Sequence, residues 1–190
     1  QGDLHRSVLG KQLLVKAEAF WQRHRSAPDT LAAQFLKLAS LKLGEHLLDL
    51  YGGVGLFSAV AIDQLGAGGR IDLIESSIPA TESARENFKA HQNVKIIRDD
   101  VAKALRNIKR ADVVVLDPPR AGAGAEVVEQ LLRINPSRIV YVACDPATLA
   151  RDVKQFTENG WRLVQIDGYD LFPMTQHIES ICLLEPNKVS

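Results

Sequence analysis

The sequence predicts an α/β fold: a mostly parallel sheet of seven strands, the last of them antiparallel, with helices on both faces. Three observations carry this expectation. From residue 46 onward, short apolar runs alternate with amphipathic ones, the pattern of doubly buried strands joined by crossover helices. A glycine cluster, Gly52-Gly53-Val54-Gly55, separates the first such run from its amphipathic successor. The last two apolar runs have no helical segment between them, which makes them antiparallel neighbours at one edge of the sheet.

The elements follow in chain order. Residues 4–22 hold short alternating stretches and read as strand or extended lead-in. Ser26-Ala27-Pro28-Asp29 reads as a helix start, a capping hydroxyl with an acid three residues on. Leu31, Phe35 and Leu38 share one face of that helix, and Gly44 stops it. Strands are expected at 46–50, 70–74, 94–97, 111–116 and 138–143, followed in turn by helices at 56–64, 80–90, 101–108, 126–132 and 146–158. Gly160 ends the last helix, and strands at 161–167 and 178–184 complete the sheet.

With 46% hydrophobic and 24% charged residues, the composition is that of a soluble globular domain and excludes general disorder. No apolar stretch reaches the roughly 18 residues of a membrane span, and no basic-then-apolar start marks a signal peptide. Cys144 and Cys182 are too few for a disulfide framework and are not spaced as a metal site. A reducing, cytoplasmic setting is therefore expected, with no metal. The 23 basic residues balance 23 acidic ones, so total charge does not advertise a nucleic-acid partner.

Asp49-Leu50-Tyr51-Gly52-Gly53-Val54-Gly55 lies between the first core strand and its helix, where glycines allow a tight turn and close approach of a ligand. Ser58 stands where a dinucleotide fingerprint would have its third glycine. Asp49 puts an acid at the strand end, where it disfavours a pyrophosphate but suits a sulfonium and an amino group. Glu75 ends the second strand, placed to accept bonds from both ribose hydroxyls. Asp100, after the third, is placed to reach an adenine amino group, leaving Asp99 to cap the next helix or face solvent. Each has a plainer reading, as turn, surface carboxylate or helix cap. Together, three acids at the C-terminal ends of adjacent strands point to a Rossmann-like fold of the class I methyltransferase kind that binds S-adenosylmethionine.

Two further segments carry chemistry. Asp117-Pro118-Pro119-Arg120 follows the fourth strand, its prolines fixing the backbone and removing two donors so as to aim Asp117. Cys144 ends the fifth strand, directly before a helix entry with Asp145 as cap and Pro146 in the first turn. A helix start favours a thiolate, while the Asp145 charge opposes it; an inert buried cysteine is the alternative, and the expected state of Cys182. Thr175, His177 and Glu179 alternate into the last strand, either as an exposed edge face or with Glu179 as a base and His177 beside it.

Taken in order, Phe20-Trp21-Gln22, the 49–55 loop, Asp117-Pro118-Pro119-Arg120, the stretch from Cys144-Asp145-Pro146 to Ala150-Arg151-Asp152, and the segment 172–179 resemble the RNA 5-methyluridine (uracil-C5) methyltransferase family over about residues 8–185. The Cys144 and 172–179 segments together are specific; the glycine loop alone is not. The resemblance implies methylation of carbon 5 of uridine in tRNA or rRNA, with S-adenosylmethionine as cofactor. It implies Cys144 as nucleophile, Glu179 as general base and Asp117 as the acid near the methyl group and the uracil edge. It places Gln22, Tyr51, Gly53, Glu75, Asp100 and Asp117 at the cofactor, and Arg120, Thr175 and His177 at the substrate. Residues 1–25 then form a lead-in of strands packing on a catalytic domain at 26–190.

This sequence departs from the family pattern at four positions. Gly52 stands where cysteine is frequent, Ala143 where serine is, Asp145 where asparagine is, and Met174 where glutamine is. The N-terminal RNA-binding domain common in the family and the iron–sulfur cysteines of some members do not occur in these 190 residues, so RNA selection is expected to lie outside them. Two other readings stand beside this one: a methyltransferase for another nucleobase or a small molecule, and an RNA-binding or assembly module with little catalysis.

Overall fold

The computed structural model describes residues 2–22, 24–170 and 178–187. Strands β1 (Leu4–Val8) and β2 (Lys11–Val15) form an antiparallel hairpin. Its two-residue turn has both Leu9 and Gly10 at positive φ, 46° and 83°, matching the twist of the flanking strands. The core begins with helix α1 (Ala27–Ala39) and strand β3 (His46–Leu50). It continues through α2 (Leu56–Leu65), β4 (Arg70–Glu75), α3 (Ile78–Asn87), β5 (Val94–Arg98), α4 (Val101–Leu105), β6 (Val113–Leu116), α5 (Ala125–Ile134), β7 (Arg138–Ala143) and α6 (Pro146–Glu158). Strands β8 (Trp161–Tyr169) and β9 (Glu179–Pro186) close it.

The seven core strands lie in the order β5-β4-β3-β6-β7-β9-β8, and β9 runs antiparallel to both neighbours. This is the Rossmann-like class I methyltransferase arrangement. Alternate residues of each strand feed two separate cores. Leu47, Val113, Val115, Val140, Val142 and Ile181 pack with α1 and α2 through Leu31, Phe35, Phe57 and Val60. Leu48, Leu50, Val114, Leu116, Ile139, Tyr141 and Cys182 pack with α4, α5 and α6 through Leu105, Leu131, Leu149 and Phe156. A sheet covered on both faces needs this period-two pattern without a polar face.

Local chemistry differs from expectation at several boundaries. Helix α1 ends at Ser40, which takes the left-handed conformation with its N–H on the Leu36 carbonyl, four residues before Gly44. The Ser26 hydroxyl does not cap that helix but meets His24, and the Asp29 carboxylate accepts from Leu9 N at 2.8 Å, tying the hairpin turn to the core. Helix α3 starts at Ile78, two residues before the expected start, capped by Ser77 with Pro79 in the first turn. Helix α4 stops at Leu105, one short turn rather than two.

Candidate active site

In an open sheet, ligands meet the C-terminal ends of parallel strands. Here those ends carry Asp49 on β3 and Tyr51 just after it, Glu75 on β4, Asp117 after β6 and Cys144 after β7. Because β9 is antiparallel, its first residue rather than its last reaches the same edge. The final pairs of the β7–β9 ladder are Val142↔Ile181 and Ala143↔Ser180. Cys144 and Glu179 are the next residues beyond that last pair, and the Glu179 charge acts on the thiol.

The glycine loop is held by strand ends. Gly52 N donates to the Ile74 carbonyl at 3.1 Å and Gly55 N to the Gly52 carbonyl at 2.8 Å. Tyr51 sits at φ 57°, a conformation costly for a bulky side chain and kept only where surroundings enforce it. A Cβ at Gly52 would lie 2.6 Å from Leu73 Cγ, so here the leucine fills the space that a cysteine side chain would take. Glu75 Oε2 accepts from Gly53 N at 3.0 Å and Oε1 from Ser77 N at 2.7 Å, so the backbone itself orients this carboxylate.

Asp49 is fully buried. Its Oδ2 accepts from Ser58 N at 3.0 Å and Ser58 Oγ at 2.6 Å, while Oδ1 has no hydrogen-bond partner. Burial pushes its pKa up to about 7, against the Ser58 bonds, with the Glu75 charge adding to the rise. An ionised carboxylate with a bare buried oxygen calls for a positive or donating group. Sequence reasoning found Asp49 but not Ser58, whose signal is its place where the dinucleotide fingerprint wants glycine.

Asp100 caps α4 through Lys103 N at 3.0 Å, the task expected of Asp99. Asp99 instead accepts from Asp100 N at 2.9 Å and meets Lys103 Nζ at 3.4 Å. Asp100 nevertheless bears on the loop: burial first, then the Asp100 and Asp152 charges, push the Tyr51 phenol up to about 12.

The chemistry-bearing groups converge electrostatically. Removal from water pushes Asp117 up to about 7, with Glu179 and then Asp49 contributing through their charges. Glu179 is 5% exposed; burial raises its pKa and Arg120 opposes the rise. Burial also raises the Cys144 thiol, helped by the Glu179 and Asp117 charges and opposed by Arg120. Asp145, expected to act on the thiol, is drawn to the helix start, where Oδ1 accepts from Ala147 N and Thr148 N at 2.9 Å each. Cys144 is thus half-buried among two acids and one guanidinium. Cys182, fully buried in β9, is pushed up to about 12 by burial.

Trp21 packs with Val15, Val54 and Ala80 over the glycine loop, and Gln22 follows it, half-buried. Thr175 and His177, like most of the 172–179 segment, lie outside the described residues. A feature missed in the sequence is Asp152, fully buried against Tyr141. Its signal was legible: it falls between Leu149 and Phe156 on the apolar stripe of α6, where an acid needs partners.

The tRNA (Uracil-5-)-methyltransferase family matches residues 18–187. An uncharacterized RNA methyltransferase of Streptomyces avermitilis is 44% identical over 179 residues, spanning 93% of this chain and 41% of that protein. One of Thermotoga maritima is 39% identical over 173 residues, 90% of this chain and 39% of its own length. The Pyrococcus abyssi tRNA (uracil-54, C5)-methyltransferase, solved in complex with S-adenosyl-L-homocysteine, matches with a TM-score of 0.81 and 30% identity over 97% of this chain and 44% of that one. The chain therefore spans less than half the length of these relatives.

Proposed function

Because the chain belongs to the tRNA (uracil-5-)-methyltransferase family, we propose that it is the catalytic part of an S-adenosylmethionine-dependent RNA methyltransferase acting on carbon 5 of uridine in tRNA or rRNA. The observation that supports this is the electrostatic coupling of Cys144, directly after β7, to Glu179 at the start of the neighbouring antiparallel β9, with Asp117 acting on the thiol and Arg120 on both.

The residues at the glycine loop fit the cofactor. The bare Oδ1 of Asp49 lacks a donor or positive partner. The open side of Gly53, where a Cβ would meet nothing within 4 Å, leaves room for a ligand. Glu75, already oriented by two backbone N–H groups, is the ribose acceptor. Asp100, with one oxygen spent on its cap, offers the other on the adenine side, and Gln22, Tyr51 and Asp117 complete the set. When bound, the cofactor supplies an electrophilic methyl group.

The protein groups make uracil receptive. Carbon 5 is a poor nucleophile until the Cys144 thiolate adds to carbon 6, forming a carbon–sulfur bond and moving an electron pair into an enolate over carbon 5 and oxygen 4. Arg120, positively charged beside this cluster, suits the developing charge. Once carbon 5 is methylated, Glu179 takes its remaining hydrogen as a proton, and the carbon–sulfur electron pair returns to the thiolate. The base must leave its stack to enter. Thr175 and His177 are assigned to substrate contact.

On this reading residues 1–25 are a lead-in and 26–190 the catalytic domain. RNA is the partner, gripped largely by an N-terminal RNA-binding domain outside these residues, and the enzyme works in the cytoplasm. Among the described residues no helix is long and apolar enough to cross a membrane. The test uses the full-length protein and RNA containing 5-fluorouridine, which traps the adduct because fluorine cannot leave as a proton. Cys144→Ala should abolish both methyl transfer and the adduct, and Glu179→Gln should stall a methylated adduct on normal RNA. Full turnover by the Cys144 variant would sink the proposal.

A further inference from the structure

A charged cluster just behind the Cys144 turn, with its carboxylate buried and its guanidinium reaching solvent, has no part in the chemistry above. Asp152 on α6 is completely buried. Its Oδ2 accepts from the Tyr141 hydroxyl at 2.7 Å, from Ala123 N at 2.8 Å and from Gly124 N at 3.4 Å. Its Oδ1 accepts from Arg151 Nε at 3.0 Å and Nη2 at 2.8 Å. Arg151 Nη2 donates onward to the Ala121 carbonyl at 2.8 Å, and Ala123 N also reaches the Tyr141 hydroxyl at 3.0 Å. Between these anchors Gly122 sits at φ 80°, and a Cβ there would fall 2.5 Å from Arg151 Nη2 and 2.6 Å from Asp152 Oδ2.

The direction of these bonds is informative. Filling the space between β7 and α6 needs no charge, since an apolar side chain would do so without losing hydration. Asp152 and Arg151 instead spend their bonds on the backbone of 121–124, the loop that leaves Asp117-Pro118-Pro119-Arg120. Tyr141 lies three residues before Cys144, and α6 starts two residues after it. One carboxylate therefore ties the loop bearing Asp117 and Arg120 to the strand and helix that flank Cys144.

Resting on the uracil chemistry proposed above, we infer that Asp152, with Tyr141 and Arg151, is a positioning unit that sets Asp117 and Arg120 relative to Cys144 without touching substrate. A displacement of about 1 Å at such groups can cost about 100-fold in rate. Asp117 is the one member of the proposed cofactor set carried by this loop, while Gly53 and Glu75 hang on β3 and β4, so cofactor affinity should fall less than methyl transfer.

The test compares Tyr141→Phe, Asp152→Asn, Asp152→Ala and Gly122→Ala in the full-length protein. Three readouts are single-turnover methyl transfer to RNA, binding of S-adenosylhomocysteine, and amide hydrogen exchange across 117–124. Tyr141→Phe and Gly122→Ala keep the proposal testable should the Asp152 variants fail to fold. The expected result is faster exchange at 117–124 and transfer slowed at least about tenfold, with cofactor-product affinity falling by a clearly smaller factor. Asp152→Asn, which keeps an acceptor for Ala123 N, should fall less far than Asp152→Ala. Unchanged exchange at 117–124 would overturn the inference, as would transfer and cofactor-product binding falling by the same factor. Faster loop exchange in the variants of a protein that forms no adduct with 5-fluorouridine RNA would instead overturn the uracil reading and leave the loop anchor standing.

Discussion

Cys144 is harder to ionise than an ordinary cysteine, since burial and then the Glu179 and Asp117 carboxylates oppose a further negative charge, with Arg120 and a backbone hydrogen bond pulling the other way. The resting thiol therefore holds its proton to higher pH than an ordinary cysteine. The sign of each neighbour can be read from alkylation by iodoacetamide followed across pH. Glu179→Gln removes a negative charge, so the profile should move to lower pH and the rate near neutrality should rise a few-fold. Arg120→Ala removes the compensating positive charge, so the profile should move to higher pH and the rate should fall. Identical profiles for both variants would mean that Cys144 does not feel either group. Asp49 shows the opposite economy: the sequence places the acid, but only its burial behind Ser58 leaves Oδ1 bare and raises its pKa.

The helix after Cys144 begins on a strong local signal, Asp145 before Pro146. Its carboxylate accepts from Ala147 N and Thr148 N, and these backbone bonds lower its pKa, the Thr148 bond most. Asp145→Ala should lower the urea midpoint of the chain, whereas Asp145→Asn should lose much less because the acceptor remains. Equal losses would mean that the charge, not the cap, matters. The strands and helices of the core were legible because each repeats a pattern at its own period; their ends were less so. Helix α1 stops on Ser40 rather than Gly44 because a left-handed serine can close the last turn. Helix α4 is short because its N-terminal cap, Asp100, is followed by only five helical residues.

At the scale of the molecule, Asn87 at the end of α3 joins the hairpin to the glycine loop. Its Oδ1 accepts from Leu14 N at 2.7 Å, and its Nδ2 donates to the Leu14 carbonyl at 3.1 Å and the Val54 carbonyl at 3.0 Å. Lys16 adds its N–H to Ser83 Oγ and its ammonium to Glu82. Asn87→Ala leaves these partners unmatched in a half-buried seam and should cost about 1–3 kcal/mol in urea unfolding. Hydrogen exchange should quicken first in β2 and the loop around Val54. A loss confined to the hairpin, with the loop unmoved, would show that the two are not coupled.

The amino-acid sequence by itself determined the alternation of strand and helix, the glycine turn, the acids at successive strand ends and the order of the motifs, because each depends on neighbours within one or two turns of chain. Tertiary structure decided what those residues meet. It inserted β9 between β7 and β8, and so brought Glu179 beside Cys144 across a separation of 35 residues. It also buried Asp49 and Asp152, leaving one partly unpartnered and saturating the other. Ladder register and desolvation depend on segments distant in the chain, and no local spacing records them.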